Sequence, residues 1–291
     1  MAKISIFANT LKPVIKSVLP AFFEKIRPLS HTFCVSDTLQ TSLEKIPDHV
    51  QQLPLDHLLK ECDLVLSFGG DGTMLMTARL IGSNSIPILG INLGGLGFLT
   101  ASSIEQAIEN IERYFRGELN VEPRSLLKLE APLLKKPVYL LNDFVADKAG
   151  FSRLIQINVD VDGRLLNSYL ADGLIIATPT GSTAYSLANG GPIVAPVTNA
   201  FVINPICPHT LSNRPIIISD AANIRITVQS ELGKFNVFGD GNMIGNFPHS
   251  TEVLLSRAEF DVHLVQTPSH EFYTILREKL GWGENFRVLN K

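Results

Sequence analysis

Leu64-Val65-Leu66-Ser67-Phe68-Gly69-Gly70-Asp71-Gly72-Thr73 opens as a short apolar run and closes as a glycine turn. The run is too short for a helix and a helical pattern begins at Met74, so the stretch reads as a buried strand entering a helix through its glycines. On either side of it, Ile4 to Ala8 and His31 to Ser36 read as strands, Pro87 to Ile91 as a second buried strand, and Ile104 to Phe115 as an amphipathic helix. Strands alternating with helices predict an α/β domain over residues 1–121 with a Rossmann-like parallel sheet. Its ligands are expected in the loops that follow the strand C-termini.

After Glu122-Pro123 the period changes to two. Ile155, Ile157, Val159 and Val161 alternate with polar residues, and Asp162-Gly163 supplies a tight hairpin turn. Ile224, Ile226 and Val228 repeat the alternation, as do Phe260, Val262 and Leu264. Residues 122–266 are therefore expected to form a mainly-β sandwich domain. In the final segment, 267–291, His270 to Leu280 returns to a helical pattern with Phe272, Ile275, Leu276 and Leu280 on one face, expected to pack back on the first domain.

A length of 291 residues suits two domains, each able to bury its own core. The net charge of −3 gives no basic surplus for holding duplex nucleic acid. With 45% hydrophobic and 18% charged residues the chain reads as globular, and no apolar run approaches the roughly 18 residues of a spanning helix. The opening Met1 to Ala8 alternates like a strand and lacks the long apolar core of a signal peptide. Cys34, Cys62 and Cys207 are odd in number and far apart, which points to a reducing cytoplasm rather than a disulfide framework or zinc site. The seven histidines show no metal-ligand spacing, and no protein-bound metal is assigned.

Eight of the 21 glycines crowd between Gly69 and Gly97. Glycines at a strand-to-helix turn let backbone N–H groups approach a phosphate, and the helix N-terminus adds a favourable dipole. A carboxylate in such a loop repels the same phosphate, so Asp71 is either a base for a hydroxyl, a magnesium ligand, or simply a helix cap. No Walker loop is present, and Gly94-Gly95-Leu96-Gly97 lacks the full dinucleotide-dehydrogenase spacing. Phe98 after that turn is either an adenine platform or core.

Two stretches of the second half carry polar groups suited to a nucleoside. Asn142-Asp143 sets an amide, able to pair a purine edge, beside a carboxylate able to accept from ribose hydroxyls, although the pair also reads as a plain turn. Asp172 to Tyr185 (DGLIIATPTGSTAY) is a strand ending in a hydroxyl-rich turn with an aromatic behind it. Tyr185 can lie against a base, and an ordinary hydroxyl turn before a helix is the plainer alternative.

Gly69 to Thr73, Asn142-Asp143, Asp172 to Tyr185, Gly190-Gly191-Pro192, Pro208 to Pro215 (PHTLSNRP) and Gly239-Asp240-Gly241-Asn242 follow one another in the order of the NAD kinase family, which the chain resembles over nearly its whole length. The resemblance implies an α/β domain with a β-sandwich domain, and transfer of a phosphoryl group from ATP to the 2′-hydroxyl of the adenosine ribose of NAD. It implies Mg²⁺ or another divalent cation carried with ATP, inorganic polyphosphate as an alternative donor, and a homo-oligomer, dimer or tetramer. By the same resemblance Asp71 is the general base, and Gly70 and Gly72 line the phosphate path. Phe98 lies near the base, Asn142 and Asp143 contact the nucleoside, and Asp172 binds the dinucleotide. Thr183, Ala184, Tyr185, Ser186, Leu187 and Ala188 form the adenine-proximal loop, with Asn242 a late polar contact. Arg153 stands where the family often carries a basic or imidazole group, available to a phosphate or merely solvated. Asp143 is shorter than the commoner Glu, Ala188 replaces a frequent Ser, and Leu170 replaces a frequently polar residue. The competing readings are a lipid kinase of the diacylglycerol type, disfavoured by the acidic net charge, and a non-catalytic NAD(P) sensor, disfavoured by Asp71.

Overall fold

The computed structural model describes residues 1–282 apart from 41, 42, 44, 96, 151, 152 and 269. Leu96 of the second glycine turn, and residues 283–291 of the expected C-terminal segment, therefore lie outside the described residues. The chain divides into one unit of Met1–Glu122 with His263–Lys291 and another of Pro123–Val262.

The first unit is built on an eight-stranded sheet ordered Val50–Leu53, Thr32–Ser36, Lys3–Ala8, Leu64–Gly69, Ile88–Asn92, Val262–Val265 and Val121–Arg124, with Ser102–Ser103 pairing on Ile88–Asn92. The five leading strands run parallel. Leu64–Gly69 is buried at every position, as an apolar run without alternation requires when a strand sits mid-sheet with both faces covered. Helix Ile15–Ile26 packs Leu19, Phe22, Phe23 and Ile26 on one face, and Phe22 meets Phe68 edge-on at 4.8 Å. Helix Ala107–Phe115 adds Ala107 and Ile111 to the same core.

Val262 and Leu264, expected to extend the antiparallel half, instead join this sheet, with Leu264 in parallel register with Ile88. Alternation shows that one strand face is buried but not which sheet supplies the neighbours. The chain then continues to helix Phe272–Leu280, where Ile275 and Leu276 are buried. Two side chains ahead of the helix tie it to the glycine-rich loop of this unit. Thr267 Oγ1 donates to Ala101 O at 2.5 Å, and His270 Nε2 lies 3.1 Å from Gly97 O.

The second unit is a sandwich of two six-stranded sheets whose pairings are antiparallel. One sheet is ordered Ile216–Ser219, Ala200–Ile206, Gly173–Ala177, Asp143–Lys148, Lys234–Gly239 and Asn242–Pro248. The other is ordered Arg164–Ala171, Ile155–Val161, Ile224–Gln229, Glu252–Arg257, Leu127–Glu130 and Val138–Leu140. Phe144, Leu174, Ile176, Phe201 and Phe235 of the first sheet and Ile157, Val159, Ile226 and Val253 of the second share a single core. The intervening residues Val145, Ile175, Ala177 and Val202 face the other way and form a smaller apolar cluster with Val194. Asp162-Gly163 and Asp240-Gly241 hold φ of 51° and 75°, and of 48° and 73°. Two consecutive left-handed residues make the turn whose twist matches antiparallel strands.

Candidate active site

In the first unit the strand Leu64–Gly69 hands the chain to helix Asp71–Ile81, with Gly70 as its N-cap. Asp71 is thus the first helical residue rather than the cap, and its carboxylate reaches across to the second glycine turn. Phe98 N–H donates to Asp71 Oδ2 at 2.9 Å and Leu99 N–H to Oδ1 at 3.0 Å. These bonds fix the carboxylate's orientation and leave each oxygen a second lone pair.

The glycines around it divide by what surrounds them. A side chain at Gly97 would collide with Asp71 Oδ1, and one at Gly69 with the Thr73 hydroxyl, so these two let the loops close on each other. Among the described residues, and setting aside the adjoining backbone, no atom lies within 4 Å of where a Cβ would stand at Gly72, Gly94 or Gly95, and at Gly70 the one such atom is Lys12 Nζ, at 3.8 Å. The open glycines lie where a ligand can approach bare backbone. The Phe98 ring is half-buried and carries the Lys279 ammonium 4.7 Å from its centroid. Nearby, Val14, Asn92, Leu93, Thr100, Glu105 and His270 line part of a cavity of about 500 Å³, within the range of small-ligand sites.

In the second unit the hydroxyl-rich turn is knitted to the Asn142-Asp143 corner. Thr178 Oγ1 donates to Leu141 O at 2.5 Å and Thr178 N–H to Asn142 O at 2.9 Å. Gly181 lies so close to Asn142 O that a side chain there would collide with it. Thr183 Oγ1 donates to Thr180 O at 3.1 Å, and Arg124, itself buried, donates to Thr180 Oγ1 at 3.4 Å. Ser186 is buried, its hydroxyl and carbonyl both accepting from Asn204 Nδ2. Tyr185 is 47% exposed, leaving its ring face open to a ligand. Ala184 and Leu187 are half-buried and Ala188 is exposed on the same segment.

Asp240 organises the corner. Its carboxylate accepts the backbone N–H groups of Leu141, Asn142 and Asp143 at 3.1, 2.7 and 3.2 Å, and its own N–H donates to Asp143 O at 2.9 Å. Asn242 Nδ2 donates to Asp240 O at 3.0 Å, so Asn242 belongs to the same cluster. Asp143 is only 4% exposed, and burial followed by the nearby Asp240 carboxylate pushes its pKa from 3.8 up to about 7. Asp172 is paired with Lys148 at 2.5 Å. Arg153 is not part of this cluster; it pairs with Glu231 on the exposed surface.

Among the described residues no group of three or more His, Cys, Asp or Glu could hold a metal ion. Asp71 stands as a single carboxylate beside an open glycine turn, a donor set that fits a cation shared with substrate phosphates better than a caged one.

Residues 25–119 match the family model for the ATP-NAD kinase N-terminal domain, and residues 141–267 that for the ATP-NAD kinase C-terminal domain. The NAD kinase of Geotalea daltonii is 38% identical over 289 residues, covering 98% of this chain and 100% of the relative. The chain belongs to the ATP-NAD kinase family. The NAD kinase of Chlorobium phaeovibrioides is 41% identical over 246 residues, 83% of this chain and 86% of that one. Among solved structures, yeast NADH kinase complexed with NADH aligns with a TM-score of 0.89 at 25% identity, covering 100% of this chain and 90% of that chain. An NAD kinase from Archaeoglobus fulgidus in complex with ATP shares the fold, with a TM-score of 0.70 at 22% identity, over 96% of this chain and 97% of that one.

In this ATP-NAD kinase family member, the motifs miss two side chains and the role of a third. Lys148 is visible in sequence only as a charge on a strand and Lys12 only as a lysine before Pro13 after the first strand, while Asp240 stands inside the Gly239 to Asn242 motif with nothing local to show that it clamps the Asn142 corner. Each gains meaning from a neighbour remote in sequence.

Proposed function

We propose that this chain transfers the terminal phosphoryl group of ATP to the 2′-hydroxyl of the adenosine ribose of NAD, producing NADP. The observation that carries the reading is Asp71, a carboxylate oriented by two backbone N–H groups beside open glycines at a helix N-terminus. Such a group can take the proton of an attacking hydroxyl while the amides of Gly70 and Gly72 receive phosphate oxygens. The hydroxyl oxygen bonds to the γ-phosphorus, the bond to the β-γ bridging oxygen breaks, ADP leaves, and the proton passes to Asp71. A divalent cation held on the ATP phosphates beside Asp71 would supply charge neutralisation for the transfer.

The second unit supplies the acceptor's contacts in this reading. Asn142 and Asp143 meet the nucleoside, and Tyr185 offers its exposed face to the base. Thr183, Ala184, Leu187 and Ala188 shape the adenine-proximal loop, while Ser186, turned into its own network, holds that loop's form. Asp172 and Asn242 are polar contacts to the dinucleotide, and Phe98 is an aromatic contact near the base. Arg153 remains available to a phosphate only by leaving Glu231. Among the described residues no helix is long and apolar enough to cross a membrane. The free thiols Cys34, Cys62 and Cys207 support a reducing cytoplasm as the working compartment. We assign the working form to a homo-oligomer; the half-exposed Ile217 on an edge strand supports an unmet apolar surface, and light scattering of the purified chain tests it.

NADP formation from ATP, Mg²⁺ and NAD by the purified chain tests the activity. In Asp71→Asn the base is lost while the volume is kept, and kcat is expected to fall by about 10²–10⁴-fold. Wild-type turnover by that variant removes the assignment of Asp71 as base.

A further inference from the structure

We infer that Lys12 binds the donor's terminal phosphates, an inference that rests on the kinase reading above. The sheet order places Lys3–Ala8 beside Leu64–Gly69, and the chain leaves these two strands for neighbours on opposite sides, Thr32–Ser36 and Ile88–Asn92. Adjacent strands whose connections diverge leave a crevice at their C-terminal ends, where α/β sheets bind ligands. Lys12 lies in the loop leaving one of these strands and Gly70 in the loop leaving the other, so the pair flanks the crevice.

The loop presents the lysine by a fixed local geometry. Asn9 Oδ1 accepts Leu11 N–H at 3.1 Å and Asn9 O accepts Lys12 N–H at 3.0 Å, while Lys12 O accepts Ile15 N–H at 3.1 Å at the start of the first helix. The side chain is exposed and makes no ion pair with a described carboxylate. Its ammonium stands 3.8 Å from the point a Gly70 side chain would occupy, and hence over bare backbone at the helix start. A lysine seeking a partner within its own unit has Asp71 close by in sequence to Gly70, yet both Asp71 oxygens are turned to Phe98 and Leu99.

A second feature of the same turn calls for a polar partner. Thr73, in the first turn of helix Asp71–Ile81, is 3% exposed, its hydroxyl has no hydrogen-bond partner among the described residues, and it points back at Gly69. An unpaired buried hydroxyl is costly. A phosphate drawn in by Lys12 and the first-turn amides would bring acceptor oxygens to this turn. Lys12 contributes a point charge with three donors, which suits the changing charge of a phosphoryl group in transfer. Because it stands over the Gly70 turn, where the kinase reading places the donor's phosphates, its removal is expected to act on the donor and not on the NAD diphosphate.

The test uses the full chain as wild type, Lys12→Met and Lys12→Arg, with KM for ATP and for NAD and direct titration of Mg-ATP and of inorganic tripolyphosphate. Lys12→Met is expected to raise KM for ATP and both dissociation constants at least about tenfold, the size of one charge-assisted hydrogen bond, with KM for NAD within twofold. Lys12→Arg is expected to recover most of the loss. Unchanged donor binding in Lys12→Met, or an equal rise in KM for NAD, overturns the inference. If wild type makes no NADP, the kinase reading fails by itself, and the two titrations still decide whether Lys12 is a phosphate anchor.

Discussion

Asp143 shows how a residue's chemistry is set by its neighbours. The side chain is buried beside Asp240, whose charge is held in place by three backbone N–H groups, and the Asp143 pKa rises to about 7. The folded chain then holds this proton more tightly than the unfolded chain does. Its contribution to stability is complete below about pH 4 and is lost as the pH rises through about 7. The stability advantage of wild type over Asp143→Asn, read from urea midpoints, is therefore expected to shrink between pH 5 and pH 8, by an amount on the order of a few kcal/mol. A pH-independent difference between the two proteins rules this out. Sequence shows Asn142-Asp143 as a polar pair but not the second carboxylate, because Asp240 lies a whole sandwich away along the chain.

At the level of elements, the turn between Gly173–Ala177 and helix Tyr185–Ala188 is held by its own hydroxyls rather than by strand pairing. Ser182 Oγ donates to Pro179 O at 2.6 Å and accepts Val194 N–H at 3.0 Å, so much of the motif's hydroxyl content is spent on shape. Gly181 has the least room, lying against the Asn142 carbonyl. Gly181→Ala forces the turn and the corner apart and is expected to cost at least about 1–3 kcal/mol by overpacking, with weaker NAD binding. Unaltered thermal stability and affinity in that variant refute the packing account. The length and composition of this element were legible in sequence, since Gly, Thr, Ser and Pro in one run mark a turn. Which hydroxyls face inward was not legible, because every one of them has the same local propensity.

For the molecule as a whole, the described residues form two large separate cores: one joins Phe22, Phe33 and Phe68 with their neighbours, the other Phe144, Phe201 and Phe235 with theirs. Calorimetry is expected to show more than one unfolding transition, as independent cores violate two-state behaviour. A single transition with equal calorimetric and van't Hoff enthalpies contradicts this. The modest net charge of −3 also takes on meaning, since polyanionic substrates must then be met by local donors such as the open glycine turn rather than by a general basic field. Period and turn chemistry by themselves determined the two kinds of domain, the strand-to-helix glycine turn and the hydroxyl-rich turn, because these depend on neighbours within a few residues. Folding in three dimensions was needed to place Val262–Val265 in the parallel sheet, to set Asp71 on the Phe98-Leu99 backbone, to clamp the Asn142 corner with Asp240 and to bring Lys12 over Gly70. Each of those joins segments far apart in the chain, and a contact of that kind is chosen by packing, which no local pattern encodes.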